Sequence, residues 1–177
     1  MAQAPAQTSE GKLFRSWSVW YLIPDRYSMR DANWNDFLHE IGTFDTIQNF
    51  WDIFNSLEKS SHLPKGCRHY FFKTGIRPLW EDRQNTNGFE IALEHKITKQ
   101  SRPKVSDRFL DILLALIGET IPNSELINGI EFRSRSETWM ICFWVAPCSD
   151  EIRQQFAQFL ETSTKWTQKA TITPIKA

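Results

Sequence analysis

"GIEFRSRSETWMICFWV" (residues 129–145) decides how this chain folds. Two runs of β-branched and aromatic residues, "GIEFRSR" and "WMICFWV", flank a short polar centre, a pattern that predicts an antiparallel hairpin. Working outward, "SWSVWYLI" (16–23) reads as a strand that stops at Pro24, with 24–33 a loop. "WNDFLHEI" (34–41), "CRHYFFK" (67–73), "GFEIALEHKI" (88–97) and "ATITPI" (170–175) read as further strands. Elsewhere the period changes. In "TFDTIQNFWDIFNSLE" (43–58), Ile47, Phe50, Trp51, Phe54 and Leu57 recur at helical spacing, and Asp45 with Gln48 resembles a capping box. After the basic turn "KQSRPK" (99–104), "SDRFLDILLALIGET" (106–120) carries apolar residues on more than one face, as in a helix that packs on one side and docks something on another. "SDEIRQQFAQFLETS" (149–163) is a third helix, with Ser149 as its N-cap and acids in the first turn. The fold expected is α+β: one large antiparallel sheet whose strands follow one another by short turns, three helices on one face, and the other face left to bind a ligand.

At 177 residues the chain fits one domain, with residues 1–12 a small, polar, disordered tail and 13–177 the folded unit. Lysine plus arginine and aspartate plus glutamate are 21 each, so no net field holds long nucleic acid non-specifically and any such contact is local. Three cysteines without a CxxC pair suit a reducing compartment and argue against a zinc site; with no secretory leader and no bilayer-length apolar run, the cytosol is the expected location. Eight tryptophans and thirteen phenylalanines exceed what a core of this size needs, so some are expected to face outward.

Phosphate-loop, dinucleotide, nucleophile-elbow and metalloprotease motifs are all missing, and the four histidines are scattered. Cys67 and His69 share a strand face but have no third group to orient them. No catalysis, metal or cofactor is expected. "RPLWEDRQNTNG" (77–88) is different, because it sets Trp80 beside Glu81 in a loop between strands. A flat aromatic face next to a carboxylate suits a guanine, whose N1–H and N2–H edge offers two parallel donors. Methylation at N7 would make that base a cation that two indoles could sandwich, each stack contributing roughly 1–3 kcal/mol, with Trp34 the natural second plate. For a single loop tryptophan, core packing is the more frequent use.

"FDTIQNFW", "SSHLPKGC", "GIRPLWED", "SDRFLDILLALIGE" and the tryptophan spacing resemble the eukaryotic translation initiation factor 4E family from about Leu13 to about Ile175. The resemblance implies a curved antiparallel sheet backed by helices, with the 7-methylguanosine cap of mRNA on the concave face. It implies that Trp34 and Trp80 sandwich the methylated guanine, that Glu81 pairs with its N1 and N2 hydrogens, and that Trp144 contacts the N7-methyl group. Arg133 and Arg135 become the candidates for the cap phosphates: ungapped counting back from Trp144 favours Arg135, whereas the basic-x-basic pattern selects both. On the helical face, Ile47, Trp51, Leu110, Leu114 and Gly118 match the surface that docks a YxxxxLΦ helix from a 4G-type scaffold or a 4E-binding protein. A cytoplasmic, monomeric initiation factor is implied. The alternative is a 4E-like interaction module or repressor with weak or altered cap affinity.

This chain departs from the family pattern at particular places. After "NTNG" the family carries a basic residue and a tryptophan where Phe89 and Glu90 stand, so one phosphate contact and one aromatic are missing or moved. Gly11 and Lys12 replace a His-Pro pair that meets the scaffold, and "DRFLD" is one residue shorter. The end soon after "TITPIKA" implies loss of a cap-covering loop, hence a more open site or one suited to a larger, hypermethylated cap.

Overall fold

The computed structural model describes residues 11–24 and 34–176. Seven strands form one antiparallel sheet: β1 (Lys12–Leu22), β2 (Leu38–Thr46), β3 (Arg68–Lys73), β4 (Phe89–Lys96), β5 (Ile127–Ser134), β6 (Thr138–Val145) and β7 (Thr171–Pro174). Three helices, α1 (Ile47–Ser56), α2 (Arg102–Ile117) and α3 (Asp150–Thr164), complete the α+β fold expected from the sequence. The order across the sheet is β2-β1-β3-β5-β6-β4-β7.

That order differs from a succession of short turns. β5 and β6 form the expected hairpin, but β3 and β4 are separated by it, although they are consecutive in sequence. With strands about 4.8 Å apart, residues 74–88 must travel roughly 14 Å across the sheet end to join them. The loop holding Trp80 and Glu81 is therefore drawn across the end of β5 and β6.

Strand alternation sends successive side chains to opposite faces. Along β6, Trp139, Ile141, Phe143 and Val145 enter the core shared with the helices, while Met140, Cys142 and Trp144 enter a second cluster with Leu22, Leu38, Tyr70 and Phe72. The helix-side core takes Phe50 from α1, Phe109, Ile112, Leu113 and Leu116 from α2, and Phe156 and Leu160 from α3. Among the described residues, no helix contributes a buried residue to the second cluster.

The helix caps refine the sequence reading. α1 is capped by Thr46, whose hydroxyl accepts from the Asn49 N–H at 3.1 Å, one position beyond the Asp45–Gln48 pair expected. α2 begins at Arg102, so part of the basic "KQSRPK" segment is its first turn; Pro103 suits that turn because its missing N–H would have no helical acceptor there. The Ser149 cap and the acidic first turn of α3 are as expected. Trp34–Phe37 is a one-turn 3-10 helix, whereas a strand was expected from Trp34 onward. Asn35 and Asp36 favour turns, and Trp34 and Phe37 are three apart, the repeat of a 3-10 turn. Strand pairing starts only at Leu38. At the N-terminus, Lys12, expected to end the tail of residues 1–12, instead begins β1 and pairs with Thr46, and the Gly11 carbonyl accepts from the Ile47 N–H; residues 1–10 of that tail lie outside the described residues. No described helix is long and apolar enough to cross a membrane.

Candidate functional site

A cavity of about 560 Å³ opens on the helix-free face. The 74–88 loop supplies Pro78, Leu79, Trp80 and Glu81; the sheet supplies Arg68 and Tyr70 (β3), Glu90 (β4), Arg133 (β5) and Trp144 (β6); Leu22 and Leu38 close one side. Thr173 to Lys176 form another wall, so the C-terminal segment is part of the cavity. Trp80 is 48% exposed, an unusual state for a tryptophan unless a ligand covers it.

A loop that presents an exposed indole must be stiffened from behind. Asp82 does this at one end: its carboxylate accepts from the backbone N–H groups of Arg77 and Gln84, each at 2.9 Å. Asn85, fully buried, donates to the carbonyls of Arg77 and Leu79, both at 2.8 Å. Asn128 then ties the loop to the sheet, donating to the Gln84 carbonyl at 2.7 Å and to the Asn85 side-chain oxygen at 3.0 Å. Gly88 is needed where the loop rejoins β4, because a Cβ there would sit 2.2 Å from the Val145 carbonyl oxygen. Arg77 reaches the other way, its Nη2 donating to Asn35 Oδ1 at 2.6 Å. This bond links the Trp80 loop to the 3-10 turn that begins at Trp34. The Trp34 side chain itself lies outside the described residues.

Beneath the aromatic wall is a buried charge cluster. Glu131 has no exposure, yet both its oxygens are occupied: Arg133 donates from Nε at 2.7 Å and from Nη2 at 3.1 Å, Arg68 from Nη1 at 3.2 Å, and the Trp144 indole from Nε1 at 3.1 Å. Burial alone would raise this carboxyl, but the charges of Arg133 and Arg68 and the hydrogen bonds from Arg133 and Trp144 outweigh it and hold Glu131 below the ordinary glutamate range. Trp144 is thereby fixed on two sides, by this bond and by an edge contact with Phe72 at 5.6 Å. That contact requires Gly129, where a Cβ would meet the Phe72 ring at 2.3 Å. Burial, and then the Glu131 charge, push the Tyr70 hydroxyl upward, so it remains protonated.

Glu90, Glu131 and the Cys142 thiol lie within 4.8 Å of one another, a set that could ligate a metal ion by residue type. The electrostatics point elsewhere. Two guanidinium groups already neutralise Glu131, and burial keeps the Cys142 thiol well above its usual value and therefore protonated. The cluster is an ion-pair centre. Cys67 is likewise raised by burial, and burial lowers His69 to about 4, so neither resembles an activated pair.

Of the residues picked out from the sequence, Trp80, Glu81, Trp144 and Arg133 line one cavity. Arg135, which ungapped counting favours, is not among the lining residues; it lies at the hairpin tip with its Nη1 on Glu94 Oε1 at 3.0 Å. Arg68, which also lines the cavity, and Glu131, its buried partner, carry no signal of their own in the sequence. On the helical side, Ile47 is 51% exposed and Leu114 36%, while Trp51 and Leu110 are half-buried and Gly118 is exposed. Trp51 leans edge-on against Phe50 at 4.9 Å and Phe54 at 5.9 Å, so one side of it packs and the other meets solvent.

Residues 12–172 match the family model described as eukaryotic initiation factor 4E. The Candida albicans eukaryotic translation initiation factor 4E is 34% identical over 135 residues, 76% of this chain and 64% of that protein. The chain spans about half to two-thirds of the length of such curated relatives. Among solved structures, Caenorhabditis elegans eIF4E-3 in complex with the 4E-binding protein Mextli superposes with a TM-score of 0.81 at 25% identity over 92% of each chain. Ascaris suum eIF4E-3 in complex with the m2,2,7G cap superposes with a TM-score of 0.76 at 29% identity, over 88% of this chain and 84% of that one.

Proposed function

The chain belongs to the eukaryotic initiation factor 4E family, and on that premise we propose that its open-face cavity binds the methylated guanine cap of mRNA while its helical face recruits a 4G-type scaffold or a 4E-binding protein. The observation that carries the reading is the meeting of Trp80, Glu81, Trp144 and Arg133 in one cavity, with Trp80 half exposed and its loop braced by Asp82, Asn85 and Asn128.

Each part has a physical task. Trp80, with Trp34 as the opposite plate, stacks on the base; the positive charge left by N7-methylation adds a cation-π attraction that unmethylated guanine lacks. The exposed Glu81 carboxylate accepts from the N1–H and N2–H edge, a charge-assisted pair of hydrogen bonds. Trp144, held by Glu131 and Phe72, offers a rigid apolar surface to the methyl group. Arg133, with Arg68 beside it, faces the phosphates. The m2,2,7G cap held by the Ascaris relative suggests that a hypermethylated cap is also a ligand. The work is recognition, and no bond of the cap is broken.

On the other face, Ile47, Trp51, Leu110, Leu114 and Gly118 form an apolar strip for an amphipathic helix. The Mextli complex of the nematode relative supports a 4E-binding protein as one occupant. Retention on immobilised 7-methyl-GTP tests the cap reading. The wild type should be retained and released by 7-methyl-GTP but not by GTP, and Glu81→Ala should lose that discrimination with an unchanged unfolding temperature. Release by both nucleotides equally would refute the assignment of Glu81.

A further inference from the structure

The basic residues among the cavity's described lining are Arg68, Arg133 and Lys176, and they are not alike. The two arginine side chains are largely buried, and both donate to Glu131. Lys176 is exposed, and its ammonium group makes no hydrogen bond or ion pair with a described residue. Glu81 and Glu90 line the same cavity, yet neither pairs with it. The cap reading has so far given Lys176 no task.

A lysine on a loose segment would be an ordinary surface charge, but this one is led to the cavity by an anchored backbone. β7 pairs with β4, Thr173 opposite Glu90 and Pro174 opposite Phe89. One residue on, the Ile175 N–H donates to the Gly88 carbonyl at 2.9 Å, and the Ile175 side chain is buried in the cluster with Leu22, Leu38 and Trp144. Gly88 is also where the Trp80 loop rejoins β4, so this bond joins the C-terminal segment to the loop that presents the indole. Lys176 follows directly and completes the wall begun at Thr173. Its backbone is ordered in advance, and only the side chain has to settle on a ligand.

We propose that Lys176 is a phosphate-binding residue of the cap site, which holds the polyphosphate bridge at the cavity wall while the base lies among Trp80, Glu81 and Trp144. The inference rests on the cap-binding reading and deepens it. The sign of the charge selects the target: an ammonium group repels the cationic 7-methylguanine and attracts a phosphate. Three rotatable donors on a flexible stem also suit a bridge whose oxygens shift between one cap and another, where a rigid guanidinium fork would not follow them. Because the side chain is exposed, its contribution is moderate and sensitive to salt.

The test is tryptophan-fluorescence titration of the full chain at neutral pH with 7-methyl-GTP and with 7-methylguanosine, which has the same base and sugar but no phosphate. In Lys176→Gln the affinity for 7-methyl-GTP should fall about three- to tenfold, as for one charge-assisted contact at an exposed site. The nucleoside should bind at least as well as to the wild type. Lys176→Arg should retain most of the nucleotide affinity. Raising salt from about 0.05 to about 0.5 M should shrink the difference between wild type and Lys176→Gln, because screening weakens a Coulombic contact and leaves a packing contact unchanged. The unfolding temperature of both variants should match the wild type. Unchanged 7-methyl-GTP affinity in Lys176→Gln, an equal loss for nucleotide and nucleoside, a difference that salt leaves intact, or a lowered unfolding temperature overturns the role of Lys176 and leaves the cap reading standing. Failure of the wild type to bind either ligand overturns the cap reading itself and this inference with it.

Discussion

The same two strands, β5 and β6, present opposite chemistries on their two faces. Toward the helices, Ile130, Phe132, Ile141 and Phe143 are fully buried in an apolar core. Toward the cavity, Glu131, Arg133 and Trp144 occupy alternate positions of the same strands, tied together by hydrogen bonds. Both faces bury these side chains wholly or largely, but for different returns. The helix side converts burial into stability at about 25 cal/mol per Å² of apolar surface. The cavity side buries charge, which stabilises little on balance but fixes two arginines and an indole in one arrangement. Substitutions on the two faces should therefore move different observables.

The largest effect is expected at the residue where stability and recognition meet. Glu131→Ala leaves two partly buried guanidinium groups without their carboxylate, which should cost about 3–5 kcal/mol of stability in urea unfolding and also lower cap affinity. A variant of wild-type stability would mean that the cluster is solvated and the contrast is false. Phe143→Ala should cost a similar 3–5 kcal/mol through the cavity it leaves, but the folded fraction should bind cap normally. Reduced cap affinity in that folded fraction would show that the two faces are coupled.

His69, buried on the helix side in register with Phe132 of β5, sharpens the comparison through pH. Its folded value of about 4 lies below the ordinary 6.5, so the unfolded chain binds the extra proton. Stability should therefore decline as pH falls from about 6.5 to 4, by roughly 3 kcal/mol in all, and the decline should be shallower in His69→Gln. A wild-type unfolding temperature that is flat across this window would contradict burial of the neutral ring. The smallest stability effect is expected at the exposed indole. Trp80→Ala should leave the unfolding temperature unchanged while removing roughly 1–3 kcal/mol of cap binding, as lost base stacking does. Trp51→Ala should weaken a YxxxxLΦ peptide by more than about 1 kcal/mol without changing cap affinity.

Much of the fold was legible because apolar periodicity reports burial directly. Ile47, Phe50, Trp51 and Phe54 marked α1, and the two runs around residues 135–137 marked the β5–β6 hairpin. Strand order was not legible, because no local pattern states that β5 and β6 will insert between β3 and β4. The 3-10 turn at Trp34 was hidden because its aromatic residues fit a strand as well as they fit a three-residue repeat. At the site, the Trp80–Glu81 pair was visible as an aromatic and an acid beyond any core run. Glu131 was not: an acid on a strand reads as a solvated position until a neighbouring strand brings an arginine to it. Arg68 had no signal for the same reason, since its partner lies 63 residues away. Between Arg133 and Arg135 the distinction came from register. Arg133 of β5 stands opposite Arg68 of β3 and lines the cavity, whereas Arg135 has passed the strand's end and turns to Glu94.

The central claim is that the helix-free face recognises a methylated guanine by charge as well as by shape. Its most direct test is tryptophan-fluorescence titration of the wild type with 7-methyl-GTP and, in parallel, with GTP. The account predicts saturable quenching by 7-methyl-GTP at concentrations at least about a hundredfold below those needed for GTP, the combined effect of a cation-π sandwich and an edge carboxylate. Equal affinity for the two nucleotides, or no quenching by either, would contradict it.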